Sequence, residues 1–353
     1  MQQIFIHCAD IHLGSPLSAR LSPAKAAERR REMCATFGRM ADYAEECGAR
    51  AVLISGDLFD ADITLKKDKD YFYSVVESHP ALDFIYLRGN HDGKQSYDRP
   101  LENLKTFGES WSCFNYGNVT VAGLELNERN VMAAYSTLRL DPSRINIVML
   151  HGPLTSGGDG VNLTALRAKN IDYLALGHIH SFQSGRVDER GIYAYSGCLE
   201  PRGFDEPGPK GFVQLTAGSS VDARFVPFAL RTVAQAECDV SGCENAYAAV
   251  RAAMTVAPRS PEDMLRLTLS GDVDFDSSSL AADVQKELEP YFYAVHVRSN
   301  VRTKTDVEYL ASEPSLRGAF VRAVTADDKY PQDIKQLILS AGLKALAGRG
   351  NEL

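Results

Sequence analysis

Histidine and aspartate are concentrated in five short motifs of this 353-residue chain. These are Asp10-Ile11-His12, Gly56-Asp57-Leu58-Phe59-Asp60, Gly89-Asn90-His91-Asp92, His151-Gly152 and Gly177-His178-Ile179-His180. Five of the eight histidines fall inside them. Singly, each motif says little: Asp-x-His arises by chance, and Gly-Asn-His-Asp reads equally well as a turn. His-x-His on a strand is more telling, because residues i and i+2 share a face. Joint occurrence carries the information. Imidazole, carboxylate and amide oxygen without thiolate suit Mn, Fe or Zn. Two such ions ~3.5–4 Å apart need a bridging carboxylate, acidify a shared water and clamp a phosphoryl group for in-line attack. Gly56 and Gly89 allow sharp backbone turns beside such a site.

Each motif follows a strand-like apolar run. The runs Gln3–Cys8, Ala51–Ile54, Phe84–Leu87, Ile145–Leu150 and Tyr173–Leu176 precede the five motifs in order, and Val119–Leu124 is a sixth. Helix-length stretches, Pro23–Cys47 and Lys67–Ser78, lie between the early ones, which reads as α/β layers. Ligands in such folds bind beyond the carboxyl ends of strands, so the motifs can converge at one edge. Gly191–Ser196 and Gly211–Leu215, separated by the Gly/Pro-rich Glu200–Lys210, read as a meander finishing a second sheet. Val233–Val240, Glu244–Met254, Met264–Leu269, Ser278–Tyr291 and Ala294–Val301 alternate strand and helix as a small βαβαβ unit. Two helical patterns close the chain, Val307–Val324 and Gln332–Leu346, with Pro331 at the start of the second.

Composition sets limits. At 44% hydrophobic and 24% charged residues, wholesale disorder is excluded. Runs such as Ile147-Val148-Met149-Leu150 fall far below the ~20 residues of a membrane span, so no membrane is expected. Ile4-Phe5-Ile6 is a strand-sized run, not the core of a signal peptide. Seven cysteines without a Cys-x-x-Cys pair argue for reduced thiols, making the cytoplasm the expected compartment. The net charge of −8 argues against nucleic-acid binding through bulk charge alone. A nucleic acid would need a local site, metal ions or a partner.

The five motifs together resemble those of the calcineurin-like metallophosphoesterase superfamily, over about residues 1–228. The resemblance implies a layered two-sheet αββα sandwich over 1–228, a small βαβαβ cap domain over 229–302 and C-terminal helices over 303–353. Carried over residue by residue, it implies Asp10, His12, Asp57 and His180 around one divalent ion. Asp57, Asn90, His151 and His178 would surround the other, with Asp57 bridging. Mn²⁺ is the expected ion, with Mg²⁺, Fe²⁺ and Zn²⁺ as alternatives. His91 would stabilise or protonate the leaving oxygen, and Asp60 would orient His91.

Within the superfamily the chain is similar to SbcD-type DNA-repair exonucleases. Gly56-Asp57-Leu58-Phe59-Asp60 looks like their second motif and lacks the Asp-Arg-Gly ending of protein serine/threonine phosphatases. Tyr195-Ser196-Gly197-Cys198-Leu199-Glu200, then Phe204-Asp205-Glu206 and Lys210-Gly211-Phe212, resemble their loop after the last ligands, and a βαβαβ cap also matches. The tail Glu313–Arg322 looks like that of a bacterial subgroup of exonuclease-like proteins. Many archaeal and eukaryotic relatives carry His where this chain has Asp60. The resemblance implies DNA as substrate and an SMC-like coiled-coil ATPase as partner, and a second copy of the chain is a further candidate partner. Two other readings stand beside it: a phosphatase or small phosphodiesterase acting on cyclic nucleotides, and a DNA-end scaffold without catalysis. The full ligand set argues against the scaffold.

Other residues are weighed individually. His7, inside the first strand, reads as a satisfied core histidine, and His79 and His296 are assigned no role. Cys198 reads as a small buried hydrophobe. Arg29-Arg30-Arg31, flanked by Glu28 and Glu32, reads as a solvated helix face. Arg88 and Arg202, close to motif residues, are candidates for binding substrate phosphate. Asp98 and Asp159 read as loop residues. In the last helix Ile334, Leu337, Ile338, Ala341 and Leu346 form one apolar stripe, which serves either packing or a partner.

Overall fold

The computed structural model describes residues 2–17, 20–60, 64–93, 99–155, 160–256, 259–304 and 307–346. Asp98 and Asp159 lie outside the described residues. Along the chain, β1 (Gln3–Cys8), α1 (Pro23–Glu46), β2 (Ala49–Ser55), α2 (Lys66–Ser78) and β3 (Asp83–Leu87) come first. Then follow β4 (Leu104–Thr106), β5 (Ser112–Tyr116), β6 (Val119–Gly123), α3 (Val131–Thr137), β7 (Ile145–His151), α4 (Leu163–Leu166) and β8 (Tyr173–Gly177). Next are β9 (Gln183–Arg186), β10 (Ile192–Tyr195), β11 (Gly211–Ala217), β12 (Val221–Pro227) and β13 (Val233–Asp239). The remainder holds α5 (Ala246–Ala253), β14 (Ser260–Val273), α6 (Leu280–Leu288), β15 (Phe292–Thr303), α7 (Val307–Ser312), α8 (Leu316–Ala326) and α9 (Gln332–Leu346).

The strands that precede the five motifs lie in two six-stranded sheets, ordered β12-β11-β1-β2-β3-β4 and β5-β6-β7-β8-β10-β9. β1 to β4 are parallel, as are β6, β7, β8 and β10. Strand alternation explains the layering. Phe5, Leu53 and Ile85 face Val121, Ile147, Met149 and Tyr173 across the sandwich. Ile6, Val52, Ile54 and Phe84 point the other way, onto Phe37 and Met40 of α1 and Phe72 and Val76 of α2. On the far side Val148, Leu150, Leu174 and Leu176 pack against Ala134 of α3 and Leu166 of α4. The result is the αββα sandwich expected. Strands buried on both faces read as near-continuous apolar runs, which is why they were conspicuous in the sequence. Ser22 caps α1 by accepting from the Lys25 amide, and Pro23 opens the helix where its missing N–H costs nothing.

Four expectations are corrected. Gly211–Ala217 does not join Ile192–Tyr195 in a meander: β10 completes the second sheet, while β11 returns to the first, antiparallel to β1. The single helix over 307–324 is two, α7 and α8, interrupted where Pro314 disfavours helix at the residue before it. In α9 the inward face centres on Lys335 and Leu339, whereas Leu337, Ala341 and Leu346 are exposed. Arg29 is fully buried, where an unpaired charge would be costly. It donates to Glu200 Oε2 (2.9 Å), to the Pro201 carbonyl (3.0 Å) and to Glu32.

The chain forms two compact units, one of Met1–Gln235, Arg259–Arg266 and Tyr291–His296, the other of Ala236–Pro258, Leu267–Pro290 and Val297–Leu353. β13, β14 and β15 make a three-stranded sheet with β14 central. All seven cysteines are free. Among the described residues no helix is long and apolar enough to cross a membrane.

Candidate metal centre

The five motifs stand at the carboxyl ends of β1, β2, β3, β7 and β8, which the two parallel arrays bring to one edge. The loops are tied to one another before any side chain is considered. The amides of Asp10 and His12 donate to the carbonyls of Gly56 and Asp57, each at 3.0 Å, and Leu13 donates to Leu58 at 2.8 Å. Four motif residues other than glycine hold left-handed backbone: Asp10 (φ 52°), His12 (49°), Asp57 (52°) and His178 (106°). Such conformations cost about 1–3 kcal/mol each and cluster at functional sites. Gly56 (φ 93°) is required twice over, because a Cβ there would meet His151 Nδ1 at 2.2 Å; one on Gly89 would meet Asp57 Oδ1 at 2.2 Å.

Three of the four inward imidazoles have an outer partner. His12 Nδ1 lies 2.8 Å from Asp60 Oδ1, His151 Nδ1 2.8 Å from the Ser55 carbonyl and His180 Nδ1 2.6 Å from Glu206 Oε1. Acceptors on Nδ1 assign the proton there and leave the lone pair on Nε2. Those Nε2 atoms face oxygens: His151 is 3.0 Å from Asn90 Oδ1 and 3.4 Å from Asp57 Oδ2. His12 Nε2 is 3.9 Å from Asp57 Oδ2, and His180 Nε2 is 3.9 Å from Asp10 Oδ1. His178 places Nδ1 3.2 Å from Asn90 Oδ1. Asp10 receives the His178 amide on both oxygens at 3.0 Å, and Asp57 Oδ1 receives the His91 amide at 2.8 Å.

The electrostatics of the metal-free centre follow. Burial raises the Asp10 carboxyl above its usual range despite His151 and His180 nearby. At Asp57 burial works in the same direction, but hydrogen bonding and charge from His151, the His91 amide and His12 outweigh it and hold the carboxyl low. His151 is the converse: burial opposes its charge, yet Asp57 and Asp10 lift it well above an ordinary histidine. His178 is lowered, by burial and then by the charge of His151.

These residues fit a pair of divalent cations. Lone pairs on Nε2 aimed at carboxylate and amide oxygens repel unless a positive charge lies between them. A proton can relieve this at His151, but His12 Nε2 is buried with no hydrogen-bond partner among the described residues. Asp10, His12 and His180 offer ligand atoms within 4.8 Å of one another, as do Asp10, Asp57 and His151. Oxygen and imidazole donors without thiolate accommodate Mn, Fe or Zn.

His91 groups with His12 and Asp60 in a third set of ligand atoms within 4.8 Å of one another, but at the solvent edge of the centre. Its side chain is 52% exposed, its Nδ1 is 3.1 Å from Asp60 Oδ1, and its ring meets that of His12 edge-on at 5.1 Å. Asp60 Oδ1 therefore serves both rings. Arg202 reaches the centre: its Nε is 3.2 Å from Glu206 Oε1, and its Nη1 is 4.0 Å from Asp60 Oδ2. Arg88 pairs with Glu125 through Nε to Oε1 at 2.7 Å. Cys198 is buried, and His7 is a core histidine with Nδ1 2.8 Å from the Tyr173 hydroxyl, but it is satisfied on one nitrogen only: Nε2 is buried with no hydrogen-bond partner among the described residues. Two residues of the centre went unassigned in the sequence reading. Asp92 binds the amides of Phe59 (2.9 Å) and Gly89 (2.8 Å), locking the second and third motif loops together, and burial raises it to about 6. Its place as the last residue of the third motif was the available signal. Glu206 had only its place in the loop Phe204-Asp205-Glu206 to mark it.

A family model described as calcineurin-like phosphoesterase matches residues 4–182, just over half of the chain. The chain belongs to the calcineurin-like phosphoesterase family. All five motifs lie within that stretch, whereas Arg202 and Glu206 lie beyond it. Among curated relatives, an uncharacterized metallophosphoesterase of Bacillus subtilis, YhaO, is 31% identical over 239 residues, covering 61% of this chain and 58% of that protein. The DNA double-strand break repair protein Mre11 of Methanopyrus kandleri is 24% identical over 261 residues, 62% of this chain and 56% of that one. The protein of the same name from Aeropyrum pernix is 23% identical over 350 residues, covering 89% and 84%. The chain thus spans less than two thirds of the length of the first two.

Proposed function

We propose that this protein hydrolyses phosphodiester bonds in DNA, with two divalent metal ions, Mn²⁺ foremost, as a nuclease of the SbcD type. The observation that carries the reading is an exposed imidazole, His91, fixed by a carboxylate beside a closed set of ligands. Asp10, His12 and His180, with Asp57, would hold one ion; Asp57, Asn90, His151 and His178 would hold the other. Bound there, the ions would supply Lewis-acid clamping of the phosphoryl group and acidification of a water. The chain's own contribution is order and proton handling. Asp60 Oδ1, 3.1 Å from His91 Nδ1, would hold that side of the ring by charge and leave Nε2 to carry a proton to the departing 3′ oxygen as its bond to phosphorus breaks. The phosphate then stays on the 5′ side. The preference for DNA over smaller esters draws support from the two Mre11 relatives, one of them similar along most of this chain.

Incubation of the full chain with Mn²⁺, Mg²⁺ or Zn²⁺ tests this against linear duplex DNA, single-stranded DNA, a cyclic nucleotide and an aryl phosphate. Cleavage of DNA in preference to the others is expected. Rapid aryl phosphate or cyclic nucleotide hydrolysis with intact DNA would replace this reading by the phosphatase or small phosphodiesterase.

The same proposal includes an SMC-like coiled-coil ATPase as partner, with α9 as the docking element. Exposure of Leu337 (65%) and Leu346 (39%) supports it. Deleting residues 332–346 should leave metal-dependent cleavage and abolish co-purification with that ATPase. A deletion that unfolds the chain would assign α9 to packing.

A further inference from the structure

We infer that Glu206 is a positioning residue for the metal ligand His180, setting its tautomer and the strength with which it holds an ion. The inference rests on the two-metal part of the reading above and not on the identity of the substrate. Glu206 is buried, with 9% of its surface exposed, and both of its oxygens are used. Oε1 takes His180 Nδ1 at 2.6 Å and Arg202 Nε at 3.2 Å; Oε2 takes the Arg202 amide at 2.8 Å and lies 3.4 Å from Cys198 Sγ. Arg202 thus sets both its guanidinium and its amide against this buried carboxylate.

The carboxylate can accept a proton from Nδ1 but cannot donate one. Arg202 Nη2 also comes within 3.1 Å of this nitrogen, but a bare Nδ1 would face the carboxylate oxygen lone pair to lone pair at 2.6 Å, so the closer contact puts the hydrogen on Nδ1 and turns Nε2 toward Asp10, the orientation ligation needs. The main chain of His180 is held at the same time. Lys210, itself only 2% exposed, donates from Nζ to the His180 carbonyl at 2.7 Å, and the Cys198 amide donates to it at 3.4 Å. The loop that delivers Glu206 is pinned at its other end by Glu200, which binds Arg29 and the Thr36 hydroxyl of α1. Ring and backbone of the ligand are thus fixed by one loop, Cys198–Lys210, outside the five motifs. Asp60 backs His12 from the other side but divides one oxygen between His12 and His91, whereas no second imidazole shares Glu206 among the described contacts.

Replacing a carboxylate that backs a metal-bound histidine typically costs about 10–100-fold in affinity. The test is calorimetric titration of the metal-free full chain with Mn²⁺, together with the visible spectrum of the Co²⁺-loaded protein and the melting temperature of the metal-free form. Glu206→Ala is expected to weaken one of two binding events by about 10–100-fold, leave the other close to wild type and alter the Co²⁺ spectrum. Glu206→Gln keeps an acceptor oxygen without the charge and should weaken that event less, which makes it the deciding variant if Glu206→Ala does not fold. Wild-type affinity in Glu206→Gln overturns the inference. So does equal weakening of both events with a lowered melting temperature, the signature of a merely structural loop. Failure of the wild type to cleave DNA would remove the substrate assignment and leave this result standing.

Discussion

The two sheets meet the centre with different chemistry. From the first, the ends of β1, β2 and β3 bring Asp10, His12, Asp57, Asp60, Asn90, His91 and Asp92, mostly oxygen donors. From the second, β7 and β8 bring only imidazoles: His151, His178 and His180. The first group is self-supporting, because its loops donate amides to one another and Asp57 and Asp92 each receive amides from the third motif. Two members of the second group, His151 and His178, are oriented by the first, whereas His180 is held by Glu206 and Lys210. The His178 amide rests on Asp10, and His151 Nδ1 donates to the Ser55 carbonyl. The oxygen framework is therefore the template and these two imidazoles are hung on it. Damage to the template should spread, whereas damage to a hung ligand should stay local.

The largest effect is expected from the template. Asp57→Asn removes the charge that faces both His12 and His151. Metal content should fall below one ion per chain, and cleavage by about 10³-fold or more, since charge stabilisation by such ions amounts to several kcal/mol. Elemental analysis with single-turnover cleavage checks this. Retention of two ions would mean that the template is not what holds them. His91→Asn should separate chemistry from binding, with turnover down about 10²–10⁴-fold and metal content nearly unchanged. An emptied site, or a wild-type rate, would refute the role given to His91. His151→Asn, a hung ligand, should lose one ion while the other stays, and metal stoichiometry distinguishes it from Asp57→Asn.

The smallest effect concerns the join between the sheets. His7 of β1 reaches Tyr173 of β8, and burial depresses its imidazole from 6.5 to about 3. The fold thus keeps His7 neutral, while the unfolded chain takes up a proton near its ordinary value. Stability from this group is complete above about pH 6.5 and is lost as pH falls toward 3, at up to about 1.4 kcal/mol per unit. Urea midpoints of the metal-free protein at several pH values should decline more steeply in the wild type than in His7→Asn. Parallel slopes would show that the buried pair does not govern the acid limb.

The template and its ligands were legible because they sit where buried parallel strands end, and those strands announce themselves as β-branched apolar runs. What was not legible depends on partners distant in the chain. Arg29 looks solvated beside Glu28, Arg30 and Glu32, yet its burial is decided by Glu200, 171 positions away. Gly211–Ala217 has the alternation of any strand, and nothing local says that it pairs with β1 and not with its predecessor. The α9 stripe failed similarly: helical periodicity gives an apolar face, but Lys335 turns inward because its amine finds the Thr325 carbonyl at 2.8 Å.

The left-handed backbone at Asp10, His12, Asp57 and His178 has a consequence for engineering. At each of these positions the residue easiest on the main chain would be glycine, and glycine would erase the side chain the centre requires. Selection for thermal robustness alone would therefore drift toward relaxed, inert variants at these four codons, even as the sandwich beneath them hardened. Any stabilisation campaign on this scaffold should hold those positions constant and seek its gains in α1 and in the sheet interior.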